Sequence, residues 1–124
     1  MTVKGSCHCG GVSYEYRHTP RWTTSCNCGI CRRLGALWIY APIAQITVTG
    51  QTRSYAYGER SLAFHSCATC GVTTHWENLT PDADGAYMAV NLRLAAPSVV
   101  AKVPVRHFDG ADSWMFLDAG SDAS

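Results

Sequence analysis

The chain has 124 residues and a mass of 13.5 kDa, room for one domain but not two ordinary ones. Charged residues make up only 15% and hydrophobic ones 47%, which excludes a disordered chain. A net charge of +1 with no dense run of Lys or Arg argues against a nucleic-acid partner, which would demand clustered positive charge. The longest apolar stretch, 36–44, contains Pro42 and is about half the length a bilayer requires, so no membrane span is expected. Residues 1–6 lack an apolar signal core, and a cytoplasmic location follows as the expectation.

Period-two alternation dominates the chain. Val12, Tyr14 and Tyr16 alternate with Ser13, Glu15 and Arg17, as a half-buried strand requires. A turn or two of helix is expected over 28–34, where Gly35 is placed to stop it. Residues 37–40 form a continuous apolar run and read as a strand buried on both faces. Strands at 46–49 and 55–57, ending at Gly50 and Gly58, suggest a hairpin turning near Gly50-Gln51. Further strands are expected at 61–66, 72–77, 86–92 and 104–108, with an exposed loop at 78–85. A second short helix fits 96–103, with Pro97 in its first turn. Residues 1–118 then form a single domain and 119–124 a polar, fraying tail. The class is mainly β with very little helix, and its exposed strand edges make a homodimer an expected partner state.

Seven cysteines fall into three clusters: Cys7-His8-Cys9, Cys26-Asn27-Cys28-Gly29-Ile30-Cys31 and Cys67-Ala68-Thr69-Cys70. An odd number with no secretory signal makes disulfides the lesser reading. Short spacings let two or three sulfurs of one loop reach one metal ion. Cys7, Cys9, Cys67 and Cys70 together would complete a closed tetrahedral site with a structural role. Glycines beside each pair (Gly10-Gly11 and Gly71) permit the tight turns of metal knuckles. Zinc suits this set, although iron in a rubredoxin-like site uses similar ligands.

The triplet Cys26, Cys28 and Cys31 has no fourth cysteine to join it. Three protein ligands and one exchangeable position is the arrangement of catalytic zinc. An all-sulfur set favours a further soft ligand, above all a thiol, which loses its proton on coordination. Arg32 and Arg33 follow at once, and either tempers the charge of the site, holds a substrate carboxylate, or is simply solvated. A histidine as fourth ligand is the rival, with His8, His18, His65, His75 and His107 as candidates; an iron–sulfur cluster is another.

The order Cys-x-Cys-Gly, Cys-x-Cys-x-x-Cys-Arg and Cys-x-x-Cys-Gly resembles the glutathione-dependent formaldehyde-activating enzymes and their relatives, including centromere protein V. The matching stretches run from Gly5 to Val12, from Cys26 to Arg33 and from Cys67 to Gly71; Val90-Asn91-Leu92 and His107-Phe108-Asp109-Gly110 are also similar. The resemblance implies an antiparallel β-tent of small sheets with two zinc ions, Cys7, Cys9, Cys67 and Cys70 structural and Cys26, Cys28 and Cys31 catalytic. It also implies a carbon–sulfur lyase, S-(hydroxymethyl)glutathione synthase-like, that joins glutathione and formaldehyde or reverses that addition. This chain departs from the family in three ways. Asn27 stands where a histidine is common, Ser66 where an aromatic is frequent, and the chain is shorter, with fewer segments to grip glutathione.

The leading expectation is a zinc enzyme acting on a small thiol and its aldehyde adduct. The Cys26/Cys28/Cys31 zinc would take the substrate sulfur, and Arg32, Arg33 and Asn27 would contact the substrate. His65, His75 and Glu77 are available for polar contacts, and Trp22, Trp38 and Tyr40 for a pocket wall or core. The alternative is a non-catalytic zinc module that binds a protein or a thiol ligand.

Overall fold

A computed structural model describes residues 2–80 and 87–118. The strands are β1 (Thr2–Ser6), β2 (Ser13–Arg17), β3 (Thr23–Cys26), β4 (Trp38–Pro42), β5 (Ile46–Thr49), β6 (Thr52–Tyr55), β7 (Leu62–Cys67), β8 (Thr73–Asn78), β9 (Tyr87–Asn91) and β10 (Val105–Phe108). Helix is confined to α1 (Gly29–Leu34), α2 (Pro97–Val100) and two single 3-10 turns, Ile43–Gln45 and Leu92–Leu94. A three-stranded sheet has the order β1-β2-β5, and a seven-stranded sheet the order β10-β3-β4-β9-β8-β7-β6. Every pairing is antiparallel except β10 with β3, which run parallel. The mainly β class read from the sequence is what the chain adopts.

β4 shows why residues 37–40 lack polar alternation. Leu37, Ile39 and Ala41 face the three-stranded sheet, where they pack with Val3, Tyr14, Tyr16, Ile46, Val90 and Leu92. Trp38 and Tyr40 face the other way, into a second core with Phe64, Trp76, Ala89 and Cys31. One strand thus serves two cores, and a polar face would be buried in either direction. Tyr14 and Tyr16 strut the gap between sheets, their hydroxyls donating to the carbonyls of Asn91 (2.9 Å) and Tyr40 (2.8 Å). Burial pushes the Tyr16 phenol up to about 12, so it stays a donor throughout the ordinary pH range.

Both helices form where expected, with shorter bounds. Gly35 ends α1 in the left-handed conformation (φ 65), and Pro97 opens α2. Two strands went unread. β1 offers one apolar residue, and its Gly5 lies under the Tyr14 ring, which a Cβ would approach to 2.7 Å. β3 reads Thr-Thr-Ser-Cys, so its burial leaves no hydrophobic period; Thr23 is satisfied instead by donating its hydroxyl to the Trp38 carbonyl at 3.0 Å. The expected loop at 78–85 begins with the end of β8 at Asn78, and its residues 81–85, like Ala86 and the expected tail at 119–124, lie outside the described residues.

The hairpin expected at Gly50-Gln51 does not form. β5 pairs with β2 in the small sheet, whereas β6 pairs with β7 in the large one, and Tyr57 lies beyond the end of β6. Two residues carry the chain from one sheet to the other. Gly50 has φ 118, and a Cβ there would overlap the Gly11 carbonyl oxygen and come within 2.8 Å of Val12 Cα. The Gln51 carbonyl accepts from the Ala68 N–H at 3.2 Å. The crossover is therefore wedged between the two predicted knuckles, and no turn that folds β6 back on β5 fits there. Gly50→Ala should cost about 3 kcal/mol or more in urea denaturation. Gly58→Ala, at φ 59 with open space around it, should cost only about 1 kcal/mol.

Candidate metal centre

The first cluster forms where the crossover joins the sheets. Each knuckle closes the same way: Cys7 N–H donates to the Val12 carbonyl and Cys67 N–H to the Val72 carbonyl, both at 2.9 Å. Gly10 and Gly71, each at φ 80, make the turns, in a region that side-chain-bearing residues avoid. Val12, Val48 and Val72 pack around Cys7, Cys67 and Cys70 as a small core of their own.

The sulfurs of Cys7, Cys9, Cys67 and Cys70 all lie within 4.8 Å of one another. Cys7 and Cys9 are 3.7 Å apart and Cys9 and Cys67 3.6 Å, far beyond a disulfide bond. Tetrahedral metal–sulfur bonds of about 2.3 Å require sulfurs about 3.8 Å apart, so the donor set fits a four-coordinate ion. Backbone donors offset the charge: Gly11 N–H reaches Cys9 Sγ at 3.3 Å, Val12 N–H reaches Cys7 Sγ at 3.2 Å and Thr69 N–H reaches Cys67 Sγ at 3.3 Å. The Val72 and Cys9 amides hold Cys70 down at about 6. Against the Gly11 N–H, the crowding sulfurs of Cys67 and Cys7 raise Cys9 to about 11. Four thiolates so close cannot all ionise unaided, and a cation is what would let them.

The second cluster forms at the other end of the large sheet. Cys26 ends β3, Cys28 caps α1 by accepting from the Cys31 N–H at 3.4 Å, and Cys31 is buried within α1. Their sulfurs also lie within 4.8 Å of one another, and among the described residues no histidine or carboxylate joins them. Burial raises the pKa values of Cys31 and Cys26. Cys28 is lowered: burial works against it, but the Cys31 N–H and neighbouring thiols prevail. The buried Trp38 indole N–H makes no hydrogen bond, yet it lies near enough to Cys31 to favour that thiolate. These residues fit a metal ion held by three protein sulfurs.

A loop at 109–114 backs this cluster, and Asn27 pins it. The Asn27 side-chain amide donates to Asp109 Oδ1 and accepts from the Ala111 N–H, both at 3.0 Å, while its backbone N–H donates to the Phe108 carbonyl at 3.2 Å. Asp109 in turn accepts from the Ser113 N–H and hydroxyl. A Cβ at Gly110 would come within 2.7 Å of Cys26 Sγ, so only glycine lets the loop approach. The residue expected to touch substrate is thus occupied in building the wall of the site. Asp109 and Gly110 were visible in the sequence only as part of a family-like tetrapeptide.

Arg32 and Arg33 are exposed on α1, and Arg33 folds back to donate to the Gly29 carbonyl at 2.7 Å. Trp38 and Tyr40 line the core under the triplet, and burial together with the Cys31 and Cys26 charges contributes to a Tyr40 pKa of about 12. Trp22 lies apart from both clusters, packed on Arg106. His65, His75 and Glu77 also lie elsewhere, lining a cleft of about 280 Å³ between the sheets. There the two imidazoles stack at 4.5 Å, and His65 bonds to Glu77 at 2.7 Å. His8, His18 and His107 join neither cluster. No helix among the described residues is long and apolar enough to cross a membrane.

The roles of the two clusters separate by mutation. Cys67→Ser should leave the chain insoluble or unfolded, because it breaks the link between distant segments. Cys28→Ser should give a folded domain, by circular dichroism, with one metal equivalent fewer by elemental analysis. Exchanged phenotypes would reverse the assignment.

Known proteins agree with this geometry. A family model described as glutathione-dependent formaldehyde-activating enzyme matches residues 2–105. A crystal structure of a Rhodobacter sphaeroides protein, 28% identical, superposes with a TM-score of 0.65 over 83% of this chain and 99% of that one. No curated protein matches the chain. With both cysteine clusters in place and most of its length matched, the chain belongs to the glutathione-dependent formaldehyde-activating enzyme family.

Proposed function

We propose that the protein is a zinc-dependent carbon–sulfur lyase-like enzyme that binds glutathione or a related small thiol and forms or cleaves its S-hydroxymethyl adduct. The observation behind this reading is the convergence of the Cys26, Cys28 and Cys31 sulfurs with no fourth protein donor among the described residues. The family's association with glutathione and formaldehyde supplies the substrate class. Zinc is the metal that suits both all-sulfur sets, one closed and one open. When bound at the triplet, it supplies the positive charge that lets a substrate thiol ionise at neutral pH.

The chain's own residues then have distinct tasks. Cys26, Cys28 and Cys31 hold the ion from one side, and the Trp38 N–H beside Cys31 favours the thiolate form of that ligand. Gly110 admits the backing loop, and Asn27 with Asp109 fixes its position. Arg33, with Arg32 beside it, offers guanidinium N–H groups to a substrate carboxylate at the mouth of the site. Addition breaks the S–H bond and the carbonyl π bond: the sulfur joins the aldehyde carbon, the thiol proton passes to water, and the carbonyl oxygen takes one back from water; cleavage reverses each change. A binding-only role is the second reading, favoured by the lack, among the described residues, of any histidine or carboxylate clustered with the three sulfurs.

Calorimetric titration of the zinc-loaded protein with glutathione should show saturable one-to-one binding that Cys28→Ser abolishes. Because the thiol sheds its proton on coordination, apparent affinity should rise about tenfold per pH unit below the thiol pKa. Faster adduct formation than in buffer alone, followed by NMR, marks the enzyme; binding without acceleration marks the module. Absence of binding, or binding unchanged in Cys28→Ser, would refute the open site.

A further inference from the structure

Beside the three-cysteine cluster lies a groove of about 330 Å³ bounded by Gly29, Ile30, Arg33, Tyr55 and Tyr57. Gly29 and Ile30 are the residues between Cys28 and Cys31, so the groove adjoins the ligand loop directly. Its volume lies within the roughly 300–1,000 Å³ common for small-molecule sites. Tyr55 and Tyr57 stack with ring centres 5.7 Å apart and planes 20° apart. They remain 56% and 49% exposed, although rings of this size usually find a core or a partner. Tyr57 is near enough to the cluster that, besides partial burial, the charges of Cys28, Cys31 and Cys26 raise its pKa.

The electrostatics of the groove point the same way. No acidic residue bounds it, and no ion pair among the described residues engages Arg33. One Arg33 N–H is spent on the Gly29 carbonyl, which fixes the side chain along the groove and leaves the rest of the fork for an anion. A flat aromatic face, a fixed guanidinium and a sulfur-seeking metal position thus adjoin one another. Formaldehyde has no use for the rings, and neither does any ring-free aldehyde.

We infer that the preferred substrate carries a planar aromatic group and a carboxylate, the ring lying on the Tyr55–Tyr57 pair and the carboxylate on Arg33. This rests on the open-site reading above, since the substrate sulfur must occupy the fourth position at the triplet. In the aldehyde reaction the class is an adduct between a thiol and an aldehyde of which one partner bears an aromatic acid.

The test uses cobalt(II) in place of zinc and three thiols: 3-(mercaptomethyl)benzoate, 3-mercaptopropionate and benzyl mercaptan. Titrations followed by sulfur-to-cobalt absorption should show the aromatic acid binding about tenfold tighter than the aliphatic acid. The Tyr55→Ser/Tyr57→Ser variant should erase that gain and leave 3-mercaptopropionate unchanged. Arg33→Gln should weaken both acids about three- to tenfold and spare benzyl mercaptan. Equal binding of the two acids, or a gain that survives loss of both tyrosines, overturns the inference while leaving the open site intact. So does a dimer in light scattering that the tyrosine variant dissociates, since a second copy would then cover the rings. If none of the thiols alters the cobalt spectrum, the open-site reading itself falls.

Discussion

The fold turns on the meeting of four cysteine sulfurs at the point where the chain leaves one sheet for the other. Gly50 and Gln51 make that passage in two residues, with the first knuckle pressed on one side and the second on the other. Sheets meeting at such an edge enclose too little volume for large side chains, and the described core there is Cys7, Val12 and Cys67 with three further small residues. Metal–sulfur bonds at the four cysteines would replace the missing apolar area. They would also close a loop of 58 residues between Cys9 and Cys67, which by cross-link entropy is worth about 4 kcal/mol.

Once the sheets are fixed at this edge, their opposite faces acquire different uses. The inner face of β4 and β9 joins the small sheet, and the two tyrosine struts of β2 bridge the gap. The outer face supports Trp38, Phe64 and Trp76, and the triplet rests on this aromatic layer at the end of β3 and the start of α1. Rigid elements position Cys26 and Cys31, while the loop after β10 closes the site from behind. The first cluster offers four sulfurs framed by the two knuckles, with Cys7 and Cys67 buried and Cys9 exposed. The second offers three sulfurs, with Cys31 buried and the 109–114 loop braced behind it, and no fourth donor joins them among the described residues.

Much of this was legible in the sequence because cysteine spacing and strand alternation are local signals. The cysteine knuckles and the triplet, the doubly buried strand at 37–40 and the helix ended by Gly35 each rest on residues near one another in the chain; only the joining of Cys7 and Cys9 with Cys67 and Cys70 spans a long stretch. What escaped was non-local or chemically muted. β3 buries hydroxyls instead of methyls, so Thr23 and Thr24 show no hydrophobic period. Gly50 reads as a hairpin turn until Gly11, distant in sequence, is seen beneath it. Asn27 invites a substrate-binding role through its place in the triplet, and only the arrival of Asp109 and Ala111 shows its amide engaged. Tyr55 and Tyr57 read as alternating strand residues because the groove they edge is made by α1, more than twenty residues earlier in the chain.

The central claim, one closed and one open all-sulfur site, is tested most directly by cadmium-113 NMR of the fully loaded protein. Two resonances are predicted, one from four thiolates and one from three thiolates with a lighter donor. Addition of a small thiol should move the second toward the first and leave the first in place. A single resonance, or two that both respond to the thiol, would contradict the account.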